Sequence, residues 1–294
     1  KQPVRLKNVS GNATLKGSDL HITSTIFHLN DSILNIKGLI ADLDRPKIEM
    51  SLASPYLDVS DLLILAQLDS TREAKPSPSR IRLKADLSVE SGKMNRIPFR
   101  KLKSALALEE NILYLDGYEL LALGGSISGK SRIDLTNGGA ARYQSSFKLD
   151  KLSLEQCFQL FDVKEGLITG SITAQGDLTA KGDKAEDLKK TILGNVRVQM
   201  DKGTLKKFSA LSKIFSILNV SQLLKLQLPD MASGGMPYDR ITATLSFKDG
   251  IMSTRDFFVK SDAMNLVSVG NLDLARMEVF ETTVGVQPLQ TVDK

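Results

Sequence analysis

The property that most restricts this chain is an alternation of apolar and polar residues, with a period of two, that recurs along its length. The cleanest run places Ile81, Leu83, Ala85, Leu87 and Val89 on one side and Arg82, Lys84, Asp86 and Ser88 on the other. Successive side chains of a strand point to opposite faces, so this spacing specifies a strand with one dry face and one wet face. The pattern returns in Ile127, Gly129, Ser131, Ile133, Leu135 and in Tyr143, Ser145, Phe147, Leu149. It appears again in Ile168, Gly170, Ile172, Ala174, Gly176, Leu178 and in Ile241, Ala243, Leu245, Phe247. One-sided strands of this kind belong to antiparallel sheets. Asp249-Gly250 predicts a tight hairpin turn, and Asp116-Gly117, Lys202-Gly203 and Asn137-Gly138-Gly139 predict further turns between strands.

A second regularity is a self-match at an offset of 95 residues, in which Leu52 to Leu65 lines up without a gap on Phe147 to Leu160. What the two copies share is an apolar pattern rather than identity. In each, a strand-like stretch meets a helix-cap residue, Asp58 or Ser153. The apolar positions that follow are Val59, Leu62, Leu63, Ala66 in one copy and Leu154, Cys157, Phe158, Phe161 in the other, the spacing of a short amphipathic helix. Repetition makes the chain one elongated repeat-built domain, with units at about 1–70, 80–163, 164–228 and 237–294. Pro76-Ser77-Pro78 marks a linker over 71–79, and Pro229 to Pro237 a loop before the last unit. A longer helical piece from Leu205 to about Leu226 reads as a helix packed over a sheet end. Its Lys206, Lys207, Lys213 and Lys225 would also suit a membrane surface.

Composition narrows the function classes. The 294 residues are 41% hydrophobic, enough for a core, and carry a net charge of +5. The charges are scattered singly along strands, which describes a solvated face rather than a nucleic-acid groove. With 5% aromatic residues and no Trp, stacking platforms for bases or sugars are excluded as well. The single cysteine, Cys157, sits on an apolar stripe as a small hydrophobe and forms no internal disulfide. There is no signal peptide and no apolar run long enough to span a bilayer, so the chain reads as a soluble portion excised from something longer.

Motifs for chemistry do not survive inspection. Gly124 to Ser131 fits the phosphate-cradling pattern G-x-x-x-x-G-K-[ST], but that loop must open a helix, and Lys130 to Leu135 alternates as a strand. His21 and His28 are the only histidines and lack partners for a metal cluster. No nucleophile elbow or defensible carboxylate dyad is present. The reading is therefore non-enzymatic, with no cofactor and no metal. What stands out instead is a long apolar sheet face with little helix to cover it. Such a face either closes on itself or stays curled and open around an apolar ligand.

The last hundred residues carry a specific resemblance. Gly194-Asn195-Val196-Arg197-Val198, Lys202-Gly203-Thr204-Leu205 and the Ser209–Asn219 helix are followed by Pro237-Tyr238-Asp239-Arg240-Ile241. Then come Lys248-Asp249-Gly250-Ile251, Gly270-Asn271-Leu272-Asp273-Leu274 and Val284-Gly285-Val286-Gln287-Pro288. From about Gly166 onward this succession resembles the carboxy-terminal region of the AsmA-like superfamily, closest to its YhdP-like branch, with TamB more distant. The resemblance implies a Gram-negative envelope protein anchored in the inner membrane by a segment absent from this chain. It further implies a body that crosses the periplasm as a curled β-groove, conducting phospholipid toward the outer membrane.

The expected architecture is thus mostly β: a repeat-built, curled antiparallel sheet with an open groove and a few short amphipathic helices. The expected partners are phospholipid acyl chains, the membrane through that anchor, and envelope proteins at either membrane, with no nucleic acid. The lipid-facing candidates are Ile81, Leu83, Leu87, Val89, Ile127, Ile133, Leu135, Ile241, Leu245 and Phe247. The competing expectation is a self-closed structural or chaperone-like module whose sheet edge pairs with strands of outer-membrane proteins.

Overall fold

The computed structural model describes residues 5–42, 46–61, 82–136, 139–160, 168–205, 235–262 and 264–289. Strands take 77% of these residues, so helix is confined to short connecting pieces. The chain divides into two compact units, Lys1–Ser145 and Ser146–Lys294. The first holds β1 (Leu6–Lys16), β2 (Asp19–Leu29), β3 (Ser32–Ala41), β4 (Lys47–Asp58), β5 (Arg82–Met94), β6 (Ile97–Glu109), β7 (Ile112–Ala122), β8 (Gly125–Asp134) and the start of β9 (Arg142–Ser153). The second continues through α1 (Leu154–Leu160), β10 (Ser171–Lys181), α2 (Ala185–Thr191), β11 (Leu193–Leu205), β12 (Met236–Lys248), β13 (Ile251–Lys260), β14 (Met264–Asp273) and β15 (Glu278–Pro288). Sheet order follows chain order from β1 to β15. Within each unit the sheet is curled and unclosed; the alternation predicts its antiparallel strands, and the expected open curl holds over self-closure.

Among the described pairings one departs from the antiparallel rule: β4 and β5 run parallel, Lys47 beside Arg82 and Asp58 beside Lys93. Parallel neighbours need a connection of a dozen residues or more, and the 23 residues between these strands supply it.

Of the predicted turns, Asp249-Gly250 is the two-residue hairpin expected, with φ of 51° and 79° closing Lys248 onto Ile251. Leu123-Gly124 makes the same turn between Ala122 and Gly125. Two other expectations are corrected. Asp116-Gly117 lies inside β7, where Gly117 takes φ of 68° and the register with β8 slips by one residue. Lys202-Gly203 lies inside β11, with Lys202 at φ of 50°. A glycine or a positive φ serves a bulge as well as a turn, and local sequence does not separate the two uses. Asn137-Gly138, the 71–79 linker, the helix after Leu205 and most of the 229–237 loop lie outside the described residues.

Both predicted caps form. Asp58 accepts the backbone N–H of Ser60 at 2.9 Å and opens a helical turn at 59–61. Ser153 Oγ accepts the N–H of Gln156 at 3.2 Å at the start of α1. Each helical start is tied to its own unit. The buried Asp61 carboxylate accepts Ser32 Oγ at 2.6 Å and Asn30 Nδ2 at 2.8 Å. Glu155 Oε1 accepts the N–H of Gly170 at 3.1 Å, while the N–H of Leu154 donates to the Gly170 carbonyl at 2.9 Å.

Candidate functional site

Residues that oppose each other in a sheet share a face, so register alone assembles the surfaces these strands present. In the first unit one row reads Leu15, Leu20, Ile40, Ile48, Leu83, Leu108, Leu113, Ile133, a single aliphatic residue from each of β1 to β8. At about 4.8 Å per strand, seven intervals make a track of roughly 34 Å along the sheet surface, perpendicular to the strands. Leu15 is exposed and the other seven are half-buried.

Parallel rows on this face become steadily more enclosed toward one strand end. Met50, Ala85, Leu106, Leu115 and Ser131 form the next row. Leu52, Leu87 and Ser104 follow, then Ser54, Val89 and Leu102. The last row, Leu57, Gly92, Phe99 and Ala122, is fully buried, with Leu57 0% and Phe99 5% exposed. Leu29 and Leu34 join that end to complete the core of the unit. Gly92 is required there, because a Cβ at this position would run into the Leu57 backbone carbonyl and lie 2.6 Å from Phe99 Cζ. The face is therefore a packed core at one end of the strands and an accessible apolar track at the other.

The second unit repeats the gradient. Ile172, Met200, Ile241, Val259, Leu266 and Val286 form a row whose middle four include three core residues, Ile241, Val259 and Leu266. At the opposite strand end Leu178, Gly194, Phe247, Met252, Leu272 and Val279 form a row that is half-buried throughout. The packed end is latched by polar contacts at its rim. Tyr238, buried beneath it, donates its Oη hydrogen to the Thr169 carbonyl at 2.6 Å. Burial pushes the Tyr238 phenol up to about 12, with the Glu155 and Asp201 carboxylates adding to the effect.

The opposite faces are largely polar. Arg240 pairs with Asp201 at 2.8 Å and Lys93 with Asp58 at 3.0 Å, both at solvent-accessible positions. An exception lies on β13 to β15, where Phe258, Val267 and Val269 line a shallow depression on the other side.

Among the sequence candidates, Leu83 and Ile133 fall on the open track, and Leu87 and Ile127 are half-buried on the same face. Val89 belongs to the packed end at 1% exposure, as Ile241 does in the second unit. Leu245 and Phe247 lie toward the open end of the second face. Leu135 follows the last residue of β8, where its N–H donates to the Asn111 carbonyl at 3.1 Å and its side chain is 50% exposed. Ile81 lies outside the described residues. Sequence reasoning missed Leu20, Ile40, Ile48, Leu108 and Leu113. Ile48-Glu49-Met50-Ser51-Leu52 carried a legible alternation, whereas Leu106-Ala107-Leu108 and Leu113-Tyr114-Leu115 are apolar on both faces and blur it.

Chemistry-bearing groups do not converge. The G-x-x-x-x-G-K-[ST] match is the strand β8 with Lys130 exposed on it, so no helix opens there to hold phosphate. His21 and His28 lie on β2 beside Thr14 and Lys7. Among the described residues no group of three His, Cys, Asp or Glu could hold a metal ion, and no helix is long and apolar enough to cross a membrane. Cys157 is half-buried on α1, and burial pushes its thiol up, which disfavours the reactive thiolate.

Fold and face together define a class: a serial β-sheet protein in which each unit has an apolar face that its described residues cover only in part. Residues 3–284 match the YhdP protein family, and the chain belongs to that family. The match takes in residues 3–160 as well as most of the carboxy-terminal stretch that carried the resemblance. No curated protein and no solved structure gives a significant match.

Proposed function

We propose that this chain is the periplasmic part of an AsmA-like envelope protein and that its apolar face shields phospholipid acyl chains as they move between the inner and outer membranes. Membership of the YhdP family supports this reading. The observation that carries it is the eight-strand aliphatic row from Leu15 to Ile133, which runs across the strands and stays accessible. A self-closed module would bury such a row.

Covering an acyl chain with aliphatic side chains is worth about 0.8 kcal/mol per CH₂ relative to water, so a chain of some sixteen carbons gains on the order of 10 kcal/mol. Relative to a bilayer the same transfer is nearly neutral, because both environments are apolar. The face then retains a lipid against water yet releases it to a membrane, as a conduit requires. No bond is made or broken, and no cofactor is called for. In this reading attachment to the inner membrane falls to a membrane anchor, and docking at either membrane to that anchor and to envelope partners.

Native mass spectrometry of the purified chain, followed by organic extraction and lipid analysis, tests the reading. Phospholipid at defined stoichiometry is the expected result. A folded sample that stays lipid-free after incubation with phospholipid vesicles overturns it and turns attention to strand pairing with client proteins.

A further inference from the structure

Ser54 interrupts the apolar face of the first unit at a telling place. It lies on β4 beside Val89 and, across a bulge in the β3–β4 pairing, opposite Leu34, each of these two being buried to 1% exposure. Ser54 itself is 3% exposed, and its Oγ has no hydrogen-bond partner among the described residues. A hydroxyl left unpaired among aliphatic groups destabilises the fold, and alanine would fill the same space without that penalty. The position is also a boundary. Toward one strand end lies the packed row of Leu57, Gly92, Phe99 and Ala122; toward the other lie the more open rows that begin with Leu52 and Leu87. Ser104, one row further toward the open end, is a second buried hydroxyl, and it donates a long hydrogen bond of 3.4 Å to the Ala105 carbonyl.

We infer that Ser54 is a binding residue for an acyl ester, donating its hydroxyl hydrogen to the ester carbonyl of a lipid whose chain lies on the open rows. An acyl lipid carries one strong acceptor at the head of each apolar chain, and the face offers one unused donor where its packed end begins. The hydroxyl would fix how far a chain can slide toward the packed end, giving an otherwise featureless apolar surface a register. This inference rests on the acyl-chain reading above and assigns a residue and a chemical group to it.

The test compares two vesicle-borne probes with the same headgroup and chain length, a diacyl phosphatidylglycerol and its dialkyl ether analogue, loaded onto the 294-residue chain and onto Ser54→Ala. A net neutral hydrogen bond corresponds to about fivefold in binding, so the wild type should retain about five times more of the ester lipid than of the ether lipid. Ser54→Ala should retain the two equally while melting at the same temperature or higher, which separates loss of the donor from loss of the fold. Equal retention of both lipids by the wild type, or an ester preference that persists in Ser54→Ala, overturns the inference and leaves the acyl-chain reading standing. A wild type that takes up neither lipid overturns both.

Discussion

Replacing Leu83 and Leu113 together by Asp separates the open track from the packed core. The two residues lie in the same row with Leu108 between them, so the carboxylates would sit two strands, roughly 10 Å, apart on the path of a bound chain. If each leucine covers about two CH₂ groups of that chain, the pair contributes about 3 kcal/mol, or roughly two orders of magnitude in loading. Both positions are half-buried, so the loss of folding stability should stay near 1–2 kcal/mol per site. Leu57→Ala is the reciprocal control. At 0% exposure it should cost about 2–5 kcal/mol of stability while leaving the open track intact. Lipid retained per folded molecule, measured by native mass spectrometry beside urea denaturation, reads both quantities. A Leu83→Asp/Leu113→Asp protein that is folded and loads like the wild type refutes the assignment of this row as the acyl-chain surface.

Three further outcomes follow from the packed ends. Gly92→Ala should destabilise the first unit by about 1–3 kcal/mol, because the added methyl runs into the Leu57 backbone carbonyl as well as the Phe99 ring, and trimming Phe99 to leucine should not restore it in a thermal melt. The Tyr238 phenol titrates near 10 when unfolded and at about 12 when folded, so its contribution is complete below pH 10 and is lost between pH 10 and 12. Unfolding free energies from denaturation across that range should fall by up to about 2–3 kcal/mol more in the wild type than in Tyr238→Phe, and parallel pH profiles would contradict the assignment. Asp58→Ala removes both the cap on the 59–61 turn and the partner of Lys93, and should cost about 1 kcal/mol. Burial alone would raise the Asp58 carboxyl, but hydrogen bonds from Lys93 and Ser60 outweigh it and hold the group below its usual value. Its contribution is therefore present above about pH 4 and disappears as pH falls through the lowered value, a difference that an acid titration of the two proteins would show.

The sequence revealed strands and faces more readily than their joins. Alternation around Leu83 to Val89 and Ile241 to Phe247 placed those residues on dry faces because one neighbour in two is charged or hydroxylated. It did not rank them along the strand. Val89 and Leu83 look alike in the sequence, yet one is sealed and the other accessible, because enclosure comes from Leu29, Leu34 and Phe99 on other strands. The Asp116-Gly117 bulge mimicked a turn for a similar reason: a positive φ says that the backbone deviates, not whether the chain reverses. The parallel junction of β4 and β5 had no local signal at all, since its direction is set by a connection rather than by either strand.

That junction also sets an order of events. Neighbouring antiparallel strands of the first unit meet through short reversals and can zip up from local contacts within microseconds. The Lys47–Arg82 contact instead joins residues 35 positions apart, and closing so long a loop costs about 2 kcal/mol more in chain entropy than closing a four-residue one. β1 to β4 and β5 to β8 are thereby two kinetic blocks whose docking is the slow step, in keeping with the dependence of folding rate on contact separation. Substitutions along Ile48–Leu83 and Leu52–Leu87 should slow folding, whereas those within a block should chiefly speed unfolding. In a unit whose other paired neighbours alternate in direction, the junction at which direction is kept marks where the two blocks of the first unit meet.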